Sequence, residues 1–132
     1  MIGSTRQVAV YAYAEPTDMR KSFDALSALV TQRLDRDPLS GDLFLFVSRN
    51  RKRAKVLLWD GTGLCVYAKR LEDGSFTALW ELPGEAPVRL TMSELQLFLE
   101  GTELLGRFPL SPATYVPAPL LGAGRGRRRA AR

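Results

Sequence analysis

Between Leu43 and Trp80, dense turn chemistry separates four short apolar segments, and this spacing reads as an antiparallel β-meander. Leu43-Phe44-Leu45-Phe46-Val47 is the most hydrophobic strand candidate in the chain. A basic loop, Arg49-Asn50-Arg51-Lys52-Arg53, leads into a second strand from Lys55 to Trp59. Asp60-Gly61-Thr62-Gly63 suits a tight hairpin turn, because an Asp-Gly pair accepts left-handed backbone. Leu64 to Leu71 is the return strand, and Glu72-Asp73-Gly74 turns the chain into a fourth, Ser75 to Trp80.

A sheet with an apolar face needs a covering layer. The residues before the meander supply one. Val8 to Tyr13 reads as a strand, stopped at Glu15-Pro16. Thr17 or Asp18 then stands at the N-cap of a helix whose apolar positions, Met19, Phe23, Leu26, Leu29, Val30 and Leu34, recur at spacings of three and four. Asp37-Pro38-Leu39-Ser40-Gly41 is a loop. After the meander, Leu82 to Pro87 is a loop and Val88-Arg89-Leu90 a short edge strand. Thr91-Met92-Ser93-Glu94 has capping-box spacing ahead of a helix that runs through Leu99 and ends at Gly101. The expected fold is α+β: an antiparallel meander sheet with one main amphipathic helix packed on it, a short C-terminal helix and a disordered tail. With 132 residues the chain suits one domain, drawn here as residues 1–108, followed by a Pro-rich and then Arg-rich flexible tail, 109–132.

What the chain lacks excludes several chemistries. There is no histidine and a single cysteine, Cys65, so His-based catalysis, His-containing zinc sites, Cys-only metal sites and an intrachain disulfide are all ruled out. Cys65 lies in the apolar run Leu64-Cys65-Val66-Tyr67 and reads as a buried, inert thiol. The candidates for a metal pair, Glu15, Asp18, Asp42 and Asp60, each have a simpler role at a cap or turn. Neither a phosphate-binding lysine loop nor a dinucleotide glycine fingerprint is present, so no cofactor, metal or enzymatic activity is expected. No run approaches 18 apolar residues and the first residues form no apolar block, which gives an expectation of a cytoplasmic protein that neither enters a membrane nor is secreted.

Charge is unevenly spread. The whole chain carries +5, yet residues 1–70 are net +5, residues 71–121 net −5 and residues 122–132 net +5. The focus of the first block is the basic loop, with Arg49, Arg51, Lys52, Arg53 and Lys55 within seven residues and Lys69 and Arg70 on the strand expected beside it. Arg20 and Lys21, placed in the first helical turn where the helix dipole disfavours cations, join them as candidates. Such a face can reach phosphates of nucleic acid, each neutralised phosphate steepening the salt dependence of binding. The same charges also keep an edge strand soluble. The aromatics interleaved with them, Phe44, Phe46, Trp59, Tyr67, Phe76 and Trp80, read as core, with Trp59 and Tyr67 the two best placed for exposure.

Five short motifs, in order, resemble one family. Pro16-Thr17-Asp18-Met19-Arg20-Lys21-Ser22-Phe23-Asp24, Asp37-Pro38-Leu39-Ser40-Gly41, Asn50-Arg51-Lys52-Arg53, Trp59-Asp60-Gly61-Thr62-Gly63-Leu64-Cys65 and Lys69-Arg70-Leu71 are similar to the TnpB accessory proteins. These are the second reading frame of the sixty-six family of bacterial insertion sequences, distinct from the RNA-guided nuclease of the same name. The ending from Ser93 to Leu99 with Gly101 looks like the family's leucine-rich close; Thr102-Glu103 departs from its usual isoleucine and aspartate. The resemblance implies a non-catalytic accessory protein for DNA transposition. Its implied partners are a separately encoded transposase, a second accessory protein and DNA, which would put it at the nucleoid. The alternative is a protein-interaction module that stabilises the transposase without touching DNA.

Overall fold

The structure, a computed structural model, describes residues 7–101. The domain boundary at 108 and the Pro-rich and Arg-rich tail from 109 lie outside these residues. Among the described residues five strands, β1 (Val10–Pro16), β2 (Leu43–Val47), β3 (Arg53–Trp59), β4 (Leu64–Arg70) and β5 (Val88–Leu90), form one sheet in the order β4-β3-β2-β1-β5. Two helices, α1 (Phe23–Gln32) and α2 (Met92–Leu99), complete the α+β fold.

The meander holds for β2, β3 and β4, which pair antiparallel in sequence order. β1 lies parallel to β2, joined to it through α1, and β5 closes against the far side of β1 antiparallel. The sheet is therefore mixed. β1 and β2 sit at its centre and are covered on both faces, which is why both read as nearly continuous apolar runs and not as alternating ones. Tyr11, Tyr13, Phe44, Phe46 and Leu57 point to one face and meet Leu26 and Val30 of α1. Val10, Ala12, Leu43, Leu45, Val47 and Val56 point to the other and meet Phe76, Leu79, Leu95 and Phe98.

Two expectations need correction. Ser75 to Trp80 is not a strand: it crosses beneath the sheet and ends in a single 3-10 turn, Leu79–Glu81. Phe76 and Leu79, both wholly buried, anchor it, and Phe76 stacks on Phe98 with ring centroids 5.1 Å apart. Phe76 lies in the core and Trp80 packs against it, as expected, but they reach it from a crossing segment and not from a strand. The first helix begins at Phe23, after Ser22, and not at Thr17 or Asp18. The Asp18 carboxylate closes a turn instead, accepting from the backbone N–H of Arg20 at 2.9 Å. Arg20 and Lys21 precede the helix, so the argument from a dipole mismatch falls. α2 follows its sequence signal: Thr91 Oγ1 accepts from the Glu94 N–H at 3.0 Å while the Glu94 carboxylate accepts from the Thr91 N–H at 2.8 Å.

Candidate nucleic-acid or partner interface

The basic loop is a fixed hairpin connection. Ser48 Oγ bonds the Asn50 side-chain oxygen at 2.8 Å, that oxygen accepts from the Lys52 N–H at 3.0 Å, and the Arg53 N–H donates back to Ser48 Oγ at 3.1 Å. Arg51 takes left-handed backbone, φ 62°, at the bend. A polar network of this kind holds the five-residue basic run in one conformation.

Its cations divide by task. The Arg51 guanidinium donates to the Phe76 carbonyl at 3.3 Å, and the Phe76 N–H returns to the Arg51 carbonyl at 2.7 Å, so the loop is tied to the buried plug. Lys52 Nζ donates to the Gly74 carbonyl at 2.6 Å. Lys69 Nζ donates to the Leu99 carbonyl at 2.7 Å, satisfying an end of α2 that has no helical partner. Lys55 Nζ donates to the carbonyls of Met19 and Lys21 at 2.9 and 2.7 Å. These four charged ends are committed to the main chain.

The rest remain at the surface. Arg49, Arg53 and Arg70 are exposed and Lys21 is half-buried. Arg20 is exposed but pairs with Asp18 at 2.7 Å, and its guanidinium holds that carboxyl far below the usual carboxylate range. Arg53 stands directly opposite Arg70 in the β3–β4 register, both on the α1 face. Together with Met19, Lys55, Ala68 and Glu72 they line an open groove of about 270 Å³. Like charges directly opposite on a sheet are destabilising, by roughly 0.2–1 kcal/mol. Among the described residues the one carboxylate on them is Glu72, 3.8 Å from Arg70 at an exposed site, where an ion pair contributes little.

The acids considered for metal binding are dispersed into structural tasks. Asp42, buried, accepts from the Ala9 N–H at 3.1 Å and from Ser40 Oγ at 3.2 Å. Glu15 bonds the Tyr13 hydroxyl at 3.2 Å, which adds to burial in raising the Tyr13 pKa. Asp60 caps its turn through the N–H groups of Thr62 and Gly63, at 2.9 and 3.0 Å, and its carboxyl is held down to about 2. Among the described residues no three His, Cys, Asp or Glu side chains come together as a metal site. Cys65 is half-buried, and its thiol is pushed up by desolvation and by the neighbouring Asp60 carboxylate. Tyr67 is exposed, as expected, and Trp59 half-buried. No described helix is long and apolar enough to cross a membrane.

The sequence reading missed a second cationic group. Arg36 follows α1 and Arg89 lies on β5, and both guanidiniums sit over the ring of Tyr11, at 4.3 and 5.1 Å from its centroid. The strand register brings Arg89 to Tyr11 and the bend after α1 brings Arg36, so no local pattern announces them.

Comparison with known proteins agrees with this arrangement of motifs. Residues 8–107 match the family described as IS66 Orf2 like protein. Two relatives from Sinorhizobium fredii (strain NBRC 101917 / NGR234), the uncharacterized proteins y4jC and y4hO, are 30% and 33% identical over 103 residues. Those matches span 78% of this chain, and 86% and 88% of the respective relatives. No solved structure matches. With the family match running from the residues before β1 to beyond α2, the chain belongs to the IS66 Orf2 like proteins.

Proposed function

We propose that this protein is a non-catalytic accessory factor in transposition of an insertion sequence and that it contacts DNA through Arg49, Arg53 and Arg70, with Arg20 and Lys21 at the margin. The family points to the accessory role. The observation that carries DNA contact is the Arg53–Arg70 pair, two exposed guanidiniums aligned across neighbouring strands over an open groove with one loosely held carboxylate. A phosphate placed between them removes the repulsion and gains charge-assisted hydrogen bonds from both. Lys55, Lys69, Lys52 and Arg51 serve this face by holding its backbone.

Mobility-shift titration of the full chain against duplex DNA carrying an element end, over a salt series, tests the reading. Binding at low salt that weakens steeply with salt, and is lost in Arg53→Glu/Arg70→Glu, is the expected result. Absence of binding at low salt rejects it.

A second reading rests on the edge of the sheet. Among the described residues nothing pairs with the outer side of β4, and Tyr67 on that strand is 50% exposed. An extended segment of the transposase adding to this edge would make the protein a binding module that never meets DNA. It predicts co-purification with the transposase that survives nuclease treatment and the same double charge reversal.

A further inference from the structure

Across the α1 face, three flat groups stand side by side on neighbouring strands. Tyr11 on β1 is paired in register with Phe44 on β2 and with Arg89 on β5. The Phe44 and Tyr11 rings lie 5.9 Å apart and 18° from parallel, and the Arg89 guanidinium lies over the Tyr11 ring, 5.1 Å from its centroid. Arg36 reaches the same ring from the end of α1. After α1 the chain bends through Asp35, φ 55°, and the Arg36 N–H donates to the Val30 carbonyl at 3.1 Å, which sets its guanidinium 4.3 Å from the same centroid.

Both arginines are exposed, whereas Tyr11 is 6% exposed. The phenol ring thus serves as a floor, and two cations cover it. Neither guanidinium has an ion pair or hydrogen bond within the described residues; the nearby acids Asp35 and Asp37 leave them alone, and Glu15 engages Arg33 instead, at 3.9 Å. A guanidinium held over an aromatic ring keeps N–H groups free to donate outward. Two exposed guanidiniums gathered at one ring, with no carboxylate on them among the described residues, suit an anion that has at least two acceptor oxygens and a charge to share. The two non-bridging oxygens of a phosphodiester meet that requirement, one for each guanidinium.

We propose that Arg36 and Arg89, seated on Tyr11, form a second DNA contact that takes a backbone phosphate. It rests on the proposed DNA-binding role and adds a site outside the Arg53–Arg70 groove. The two sites are separate. Arg89 aligns through Tyr11 and Phe44 with Leu57, three strands across the sheet, and Arg53 lies four residues from Leu57 on the same strand. Strand spacing and rise place the two backbones about 20 Å apart. That separation is well within one helical turn of a duplex, about 34 Å, so one duplex lying over the α1 face can offer a phosphate to each site.

The test uses the full chain and one duplex of element-end DNA. Salt dependence is measured by fluorescence anisotropy for the wild type, Arg36→Ala/Arg89→Ala and Arg53→Ala/Arg70→Ala, and the arginine Nε–H resonances are followed by NMR as inorganic phosphate is added at constant ionic strength. The expected result is saturable movement of the Arg36 and Arg89 signals with phosphate, and a plot of log K against log salt about one unit shallower in Arg36→Ala/Arg89→Ala. Unchanged circular dichroism confirms that the variant is folded. An unaltered slope in that variant, with a reduced one in Arg53→Ala/Arg70→Ala, overturns this inference and leaves the groove as the DNA site. Failure of the wild type to bind duplex at any salt overturns both.

Discussion

The ammonium of Lys55 is fastened to the carbonyl of Lys21, 2.7 Å away, and to that of Met19 at 2.9 Å. A lysine on β3 therefore holds the segment that leads into α1, with its stem against the sheet and its charge satisfied by backbone dipoles. A cation of the basic run is thus also a clasp for the main chain.

Replacing that clasp tests its weight. Lys55→Met keeps the stem and removes the charged donor, leaving two carbonyls to find water. A loss of about 1.5–3 kcal/mol is expected in urea unfolding, the range for hydrogen bonds made by charged groups. Faster hydrogen exchange at Arg20 and Lys21 should accompany it, since the loop loses its tether.

Asp60 should govern the acid limb of stability at the β3–β4 turn. Its carboxyl titrates at about 2 in the folded chain because Thr62 and Gly63 donate to its charged form, against an ordinary value near 3.9 when unfolded. A depressed folded-state pKa gives stabilisation that is complete above the unfolded value and is lost as pH falls through 4 toward 2. Asp60→Asn should flatten that part of the curve of stability against pH. The same variant lowers the Cys65 thiol pKa by removing a neighbouring negative charge, so alkylation of Cys65 at pH 8 should quicken.

Ser27 offers a gain. Its hydroxyl, on α1, is buried without a hydrogen-bond partner among the described residues. Ser27→Ala removes an unsatisfied polar atom and improves helix propensity. Stabilisation of about 1 kcal/mol is expected by thermal or chemical unfolding, with no change in DNA affinity.

Phe76 and Phe23 make a contrasting pair. Phe76 is wholly buried and stacked on Phe98, so Phe76→Ala should cost about 3–5 kcal/mol. Phe23 is 47% exposed at the start of α1, and Phe23→Ala should stay within about 0.5 kcal/mol. Equilibrium denaturation of the two variants checks both. A mild effect at Phe76 would contradict its place in the core.

Where local chemistry dictates structure, it was legible. The Asp60 turn, the Thr91–Glu94 capping box and the apolar β2 need only near neighbours, and each lies where its residues put it. The pairing of β1 was not legible, because a parallel partner is chosen by the crossover through α1 and not by the strand. Ser75 to Trp80 misled because Phe76, Ala78 and Trp80 alternate as strand residues do, while the anchoring residues here are Phe76 and Leu79, three apart. At the candidate site, the cluster and the Arg53–Arg70 neighbourhood could be read from the hairpin. Which cations bond the backbone could not, because the carbonyls that accept from Lys55 and Lys69 belong to residues 34 to 36 and 30 positions away.

The position of β1 between β2 and β5 bears on how the protein is made. Val10 pairs with Leu43 and with Leu90, some 80 residues further on. At 5–20 residues per second, a ribosome needs about 4–16 s between the two. Until β5 is made, β1 lacks its partner on that edge, and Val10 and Ala12 lack the cover that Phe98 and its neighbours bring. Short as they are, β5 and α2 end the period in which a nascent chain of this protein is open to misassociation with its neighbours.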